Sequence, residues 1–196
     1  MPSLEAVCTR LFGQPGWIPK VLWGGVLCFV PIVNLFALGY LLEYARQLRQ
    51  SHRWELPDWG EHEISTLFLS GIRFLLLFLA YVGIPLLLGW LLSILILGLS
   101  LGMLGIIAYF PLAVTAFASP FFLLSALHAY LEDGIFADSF QITHIYRSAL
   151  SLWPRLGISV IAFWGIFLLA IPLYGLALFI GLWVLIAYST VLQFSE

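Results

Sequence analysis

Long uncharged stretches alternate with short polar segments along this chain, a pattern that predicts a helical membrane protein. No Asp, Glu, Lys or Arg occurs in residues 74–127 or 156–194, and a shorter apolar run covers 21–42. One helix needs about 20 apolar residues to cross about 30 Å of hydrocarbon. Each of the two longer runs therefore predicts two spans joined by a turn. The predicted spans lie at about 67–97, 101–131, 156–172 and 174–194.

The run at 21–42 contains Pro31 and Asn34 near its middle, and two interpretations of it remain open. It is either one kinked span or a re-entrant pair of half-helices that meet near Pro31, because proline interrupts the hydrogen bonds of a helix. With a full crossing, the predicted fold is all-α and integral to the membrane. It has about five transmembrane helices, two long hairpins and one N-terminal span, in a single domain, 1–196. Asn34 is a candidate for a hydrogen bond between helices.

Amphipathic helices at the membrane surface are predicted at about 4–12, 58–72 and 138–153. In the second, Pro57 favours an extended backbone just before Asp58. Asp58 with Glu61 matches a capping box, which satisfies free N–H groups at a helix start. In the third, an apolar stripe extends to Trp153, and Arg147 lies on the polar side.

Composition indicates which medium surrounds these helices. Of 196 residues, 62% are hydrophobic and 9% charged, against about 45–50% and about 25% in a soluble domain. The net charge of -2 argues against nucleic-acid binding, which needs a basic face. Cys28 lies within an apolar run, so no disulfide with Cys8 is expected. The N-terminal residues lack the apolar core of a signal peptide, so the run at 21–42 is expected to be retained.

Positive charge predicts the orientation, because Lys and Arg remain preferentially on the cytoplasmic side. The two long polar segments share one side, since an even number of crossings separates them. They contain Arg46, Arg49, Arg53, Arg73, Arg147 and Arg155. The turns expected at 98–105 and near Pro172 contain none. The polar loops and the C-terminus are therefore predicted to face the cytoplasm.

Candidate chemistry is sparse in this sequence. His62, His128 and His144 are far apart, and none of the histidines has the i, i+4 partner of a helical metal site. No catalytic, cofactor-binding or metal-binding residue is predicted. One hypothesis that remains is an enzyme acting on lipid, with one of these histidines as a base at the membrane surface. No charged residue is expected deep inside a span, where an ion-coupled transporter needs one.

Several short motifs resemble one family of uncharacterised prokaryotic multi-pass membrane proteins. That family has the pattern GG…P…GY…LPxW…G. The matching positions here are Gly24-Gly25, Pro31, Gly39-Tyr40, Leu56-Pro57-Asp58-Trp59 and Gly71. The resemblance implies a helical protein of a prokaryotic inner membrane and brings no activity with it.

Two non-enzymatic functions are compatible with this pattern. The first is a non-enzymatic accessory or scaffold protein that lies in the bilayer and associates with other membrane proteins or with itself. Small residues that permit close helix packing favour it. The alternative is a channel or permease for small neutral or lipid-like solutes, suggested by the Pro and Gly breaks in each apolar run. The candidate interaction residues are Leu56, Pro57, Asp58, Trp59, Gly71, Asn34, Arg147 and Trp153.

Overall fold

Helices make up most of the molecule, and no strand occurs among the residues described. The structure, a computed structural model, describes residues 3–194. Its α-helices are α1 (Leu4–Phe12), α2 (Trp17–Leu27), α3 (Asn34–Ser51), α4 (Ile64–Phe78), α5 (Ile84–Leu99), α6 (Phe110–Asp133), α7 (Ile142–Leu169) and α8 (Tyr174–Phe194). A π-helical turn, Leu79–Gly83, joins α4 to α5. The predicted side of the C-terminus concerns residues 195–196, which lie outside the described residues.

Four helical segments within 3–194 are long and apolar enough to cross a membrane. They are Ile64–Leu99, Gly105–Glu132, Ile142–Leu169 and Ile171–Leu192. The predicted class, an all-helical multi-pass membrane protein, is therefore supported, with four such helices where the sequence predicted about five. α8 is the central one, because 67% of its most apolar window is buried, compared with at most 28% in the other three.

The apolar run at 21–42 is not one helix. It is divided into α2 and α3 by a turn around Pro31, and Ile32 there has a left-handed backbone, φ 71°. Both helices lie along α8, in opposite directions. The contacts are those of Gly24 and Tyr40 with Phe179, and of Trp17 and Tyr44 with Trp183. The chain thus enters and leaves this hairpin at the same end of α8.

Glycines allow α3 and α4 to approach at backbone distance. A Cβ added to Gly39 would overlap the carbonyl oxygen of Leu67, and one added to Gly71 would overlap that of Leu35. In lipid, helices gain no hydrophobic free energy by associating. Small residues stabilise the contact instead, because they let the two backbones approach closely enough for extensive van der Waals contact. Gly71 is therefore a packing residue that lets α3 lie directly on α4.

The predicted capping box is wrong, and so is the start of the helix predicted at 58–72. α4 begins at Ile64, and Glu63 is its N-cap, without a side-chain capping bond. Residues 52–63 form a loop that contains turns and bends but no helix. Hydrogen bonds from α2 and α3 to the backbone of this loop hold it extended, and Asp58 forms an ion pair with Lys20 instead of capping a helix.

The predicted end of an amphipathic helix at Trp153 is also wrong. α7 runs from Ile142 through Pro154 to Leu169, so it joins most of the two segments predicted at 138–153 and 156–172 in one helix. Proline removes one backbone donor, a loss that an otherwise continuous membrane helix tolerates. As a result Arg155 lies near the middle of α7, inside the candidate span Ile142–Leu169, rather than in a loop. The expectation that no charged residue lies deep inside a span is therefore wrong at this position. The predicted helix at 4–12 agrees with α1, which Ser3 caps by accepting a hydrogen bond from the Ala6 N–H.

The charged residues within 3–194 avoid one end of the helix bundle. α5 with α6, and α7 with α8, form antiparallel hairpins, as the contacts of Gly89 with Thr115 and of Gly181 with Phe163 show. The ring of Phe29, in the α2–α3 turn, lies 4.7 Å from that of Tyr174 at the start of α8. The connections at this end are 28–33, 100–109 and 170–173, and none contains a charged residue. The molecule therefore has an uncharged end and a charged end.

Substituting Gly71→Ala should lower the free energy of unfolding by about 2 kcal/mol, since neither backbone at the contact can move without disturbing a helix. Thermal unfolding in a mild detergent measures the effect. Gly157→Ala is the matched control, because nothing lies within 4 Å of a Cβ added there. Equal losses from both substitutions would contradict close packing at Gly71.

Candidate functional site at the charged end

The loop between α3 and α4 is fastened to α2 and α3 through its backbone. The Tyr40 hydroxyl donates to the Pro57 carbonyl (2.7 Å), and the Lys20 ammonium donates to that of Leu56 (2.6 Å). The same ammonium lies 2.7 Å from a carboxylate oxygen of Asp58. We call Lys20, Tyr40 and Leu56–Trp59 the loop anchor. It satisfies carbonyl groups that a buried, non-helical segment would otherwise leave without partners.

Trp59 completes the loop anchor. Its indole stacks on the Tyr40 ring with centroids 4.1 Å apart and planes at 13°, and its N–H donates to the Lys20 carbonyl (3.3 Å). Burial, and then the carboxylates of Asp58 and Glu61, raise the pKa of the Tyr40 phenol. The hydroxyl therefore stays protonated and remains a donor. The predicted motif Leu56–Trp59 therefore has a structural role, because most of its polar atoms bind residues of α2 and α3 in the same chain.

The N-terminal segment contacts the same loop at Trp54. The Gln14 side-chain amide donates to the Trp54 carbonyl (2.8 Å), and the Arg10 guanidinium lies 4.3 Å above the Trp54 ring. Tyr44 donates to the same carbonyl at 3.3 Å. Residues before α2 and after α3 therefore lie side by side at the charged end.

A buried carboxylate lies one turn along α3 from Tyr40. Glu43 is 6% exposed, and its two oxygens accept from Arg46 at 2.8 and 2.9 Å. The Ser70 hydroxyl, from α4, donates to the same carboxylate at 2.5 Å. Hydrogen bonds that involve ionised groups are shorter and stronger than neutral ones. Glu43 therefore joins α3 to α4.

Tyr130 extends these contacts to a third helix. Its hydroxyl, in the last turn of α6, accepts from Arg46 (3.2 Å) and from Arg73 (2.9 Å). We call Glu43, Arg46, Ser70, Arg73 and Tyr130 the arginine network. Within the described residues Arg73 has no carboxylate partner within 4.0 Å, so the network has a net positive charge.

A second polar contact between α3 and α6 flanks the arginine network. Arg49 contacts His128 Nδ1 at 2.8 Å, and Glu132 lies 4.0 Å from Arg49 and 3.9 Å from His128. Glu132 is about half exposed, so this contact is looser and wetter than that of Glu43. Together the two sets hold α3 against α6 where the spans end.

A polar cavity of about 440 Å³ opens beside the arginine network. We call it the polar cavity. Residues of α3 and of the following loop line it: Glu43, Arg46, Gln47, Gln50, Ser51, Arg53 and His62. The other histidines lie elsewhere, since His128 faces Arg49 and His144 lines a separate cavity with Glu132 and Asp138. Within the described part of the chain, no group of three or more His, Cys, Asp or Glu side chains is arranged so that it could hold a metal ion.

The structure brings only some of the predicted site residues together. Leu56 to Trp59 form the loop anchor, and Gly71 lies at the α3–α4 contact next to the Ser70 of the arginine network. Asn34 begins α3, and no side-chain hydrogen bond between helices is found for it among the described residues. Trp153 lies on α7 against the ring of Phe121 (centroids 5.1 Å apart). Arg147 lies six residues before Trp153 on the same helix and is exposed.

The residues that sequence reasoning missed share one signal. Tyr40, Glu43, Tyr44 and Arg46 all lie on α3, and all but Arg46 are buried. Their i, i+3 and i, i+4 spacing defines one polar stripe on an otherwise apolar helix. That stripe was visible in the sequence. Its partners Ser70 and Tyr130 were not, because they come from distant parts of the chain.

Replacing Glu43 by Gln should lower the free energy of unfolding by about 2 kcal/mol, because Arg46 then keeps a partly buried charge without its carboxylate. Unfolding in detergent measures the loss. Glu132→Gln is the control: its side chain is 49% exposed and 4.0 Å from Arg49, and such pairs contribute below about 1 kcal/mol. Similar losses for both variants would contradict the importance of the buried pair.

Comparison with known proteins identifies one family. A family described as "Protein of unknown function (DUF4013)" matches residues 23–186. No curated protein matches the chain, and no solved structure does. The matched region begins within α2 and ends within α8. It includes the arginine network, the polar cavity and all of the loop anchor except Lys20. The chain belongs to the DUF4013 family.

Proposed function

We propose that this protein is a non-enzymatic accessory or scaffold subunit, which associates with other membrane proteins through its exposed helices. The observation that carries the proposal is that its polar side chains mostly bind one another or lie at one end. Such an arrangement suits a protein that presents a surface. It does not suit one that moves a polar solute through its centre.

Hydroxyl groups inside the bundle support this interpretation, because they bond to the carbonyls of their own helix. Ser93 donates to Gly89 (2.8 Å), Ser119 to Thr115 (2.5 Å) and Thr190 to Ile186 (2.7 Å). Bonds of this kind leave no donor turned toward a solute. Ser125 Oγ is buried without a partner, but it is an isolated position. The two cavities found among the spans are lined almost entirely by apolar side chains.

We further propose that the charged end faces the cytoplasm, in the inner membrane of a prokaryotic cell. All eight Lys and Arg residues lie outside the three connections of the uncharged end. Because the α2–α3 hairpin returns to its starting end, Arg10 and Lys20 join the other basic residues. This distribution obeys the rule that positive residues remain inside.

A permease for lipid-like solutes is the second candidate, and two apolar cavities favour it. One, of about 340 Å³, lies among α5, α6, α7 and α8, and the other, of about 440 Å³, lies among α1, α7 and α8. Phe163 and Leu185 line both cavities and lie between them. Acyl chains of the surrounding bilayer also fit such grooves, so the cavities favour transport only weakly.

Site-specific photo-crosslinking in native membranes tests the accessory function. A photoreactive residue at Leu91, 49% exposed on α5, should capture a discrete membrane protein that mass spectrometry identifies and reciprocal tagging recovers. The control position is Leu41, which is fully buried and should capture nothing in trans. Capture of lipid alone from Leu91, together with substrate-dependent flux in vesicles holding the purified protein, would overturn the proposal in favour of the permease.

A further inference from the structure

The polar cavity presents hydrogen-bond donors with few free acceptors. Both oxygens of Glu43 are already occupied by Arg46 and Ser70. Ser51 donates to the Gln47 carbonyl (2.8 Å), one turn back on the same helix. The donors left to face the cavity belong to Gln50, Arg53 and His62. A ligand that fills the space must therefore supply acceptor atoms.

Charge points to the same type of ligand. Arg46 is neutralised by Glu43, whereas Arg53 has no carboxylate within 4.0 Å in the part of the chain that the structure describes. His62 Nε2 is buried and has no hydrogen-bond partner, although it belongs to a residue on the cavity wall. A buried polar atom without a partner carries a desolvation cost that a bound ligand would remove.

The position of the polar cavity indicates where such an anion comes from. Glu43 and Arg46 lie level with Tyr130, in the last turn of a candidate span, and the cavity extends from there toward the loop. Two residues after His62, the side chain of Ile64 is 74% exposed at the start of the span Ile64–Leu99. Apolar surface for an acyl chain thus begins beside the donors, at the depth where lipid headgroups lie.

We propose that the polar cavity binds the phosphate group of an anionic phospholipid. Arg53 and His62 contact the phosphate oxygens, with the Gln50 amide as a third donor. The acyl chains lie along the exposed start of α4. Arginine suits this role because its planar fork of donors matches phosphate oxygens, and basic residues at a cytoplasmic surface attract anionic lipids. Lipid bound here would fasten the loop, and with it the loop anchor, to the membrane surface.

Native mass spectrometry of the full-length, delipidated protein tests the proposal. Titration with phosphatidylglycerol should show one preferential binding event, tighter than with phosphatidylcholine. The double variant Arg53→Gln/His62→Gln should bind phosphatidylglycerol at least about fivefold more weakly than the unmodified protein. The loss of the arginine charge by itself accounts for about fivefold. The matched control is His144→Gln/Arg147→Gln. These two residues also line a surface cavity, at the start of α7, but both are exposed and neither matches the buried, unpartnered Nε2 of His62. This variant should therefore bind phosphatidylglycerol like the unmodified protein.

Both variants should keep the thermal unfolding temperature of the unmodified protein, because no hydrogen bond or ion pair of Arg53 or His62 Nε2 is lost. Equal weakening in the two double variants would overturn the proposal, since it would show only loss of surface charge. Binding of inorganic phosphate without preference for phosphatidylglycerol would also overturn it. So would tighter binding of an acidic peptide, such as polyglutamate, than of phosphatidylglycerol.

Discussion

Hydrocarbon does not solvate charge, and the arrangement of this chain follows from that constraint. An ionised side chain at the centre of a bilayer is costly unless it is paired or reaches water. Here the connections at 28–33, 100–109 and 170–173 contain no charged residue, and charges collect toward the other end, with Arg155 in the middle of α7 as the exception. The α2–α3 hairpin is part of this arrangement. Because it turns back beside Tyr174, Arg10 and Lys20 reach the end where Arg46 and Arg73 lie.

The charged end is held together mainly through α3. Successive turns of this helix bind the loop through Tyr40, α4 through Glu43 and α6 through Arg46. The close approach at Gly39 and Gly71 makes the short bond between Glu43 and Ser70 geometrically accessible. Packing and polar contacts therefore support each other, and a change to either should disturb both. The polar cavity exists because α3 continues past this junction and the loop folds back over it.

Much of the fold could be predicted from the sequence, because long uncharged runs admit few structures in lipid. The turn near Gly98–Gly105 and the start of α8 at Tyr174 followed from length and glycine content. The start of α4 did not, since Asp58 and Glu61 match a capping box locally while Lys20 binds Asp58 from 38 positions away. Tertiary contacts outweighed a local preference there. The burial of Glu43 could not be predicted for the same reason, because its partner Ser70 lies in another helix.

The most direct test of this arrangement is cysteine accessibility in oriented membrane vesicles, with Cys8 and Cys28 replaced by Ser. Single cysteines are placed at Ser3, Ser51 and Met103, and each is labelled with a membrane-impermeant maleimide from either side. A returning α2–α3 hairpin predicts that positions 3 and 51 label from one side and position 103 from the other. Labelling of position 3 from the side opposite to position 51 would show that the N-terminal run crosses the bilayer, and would contradict the account.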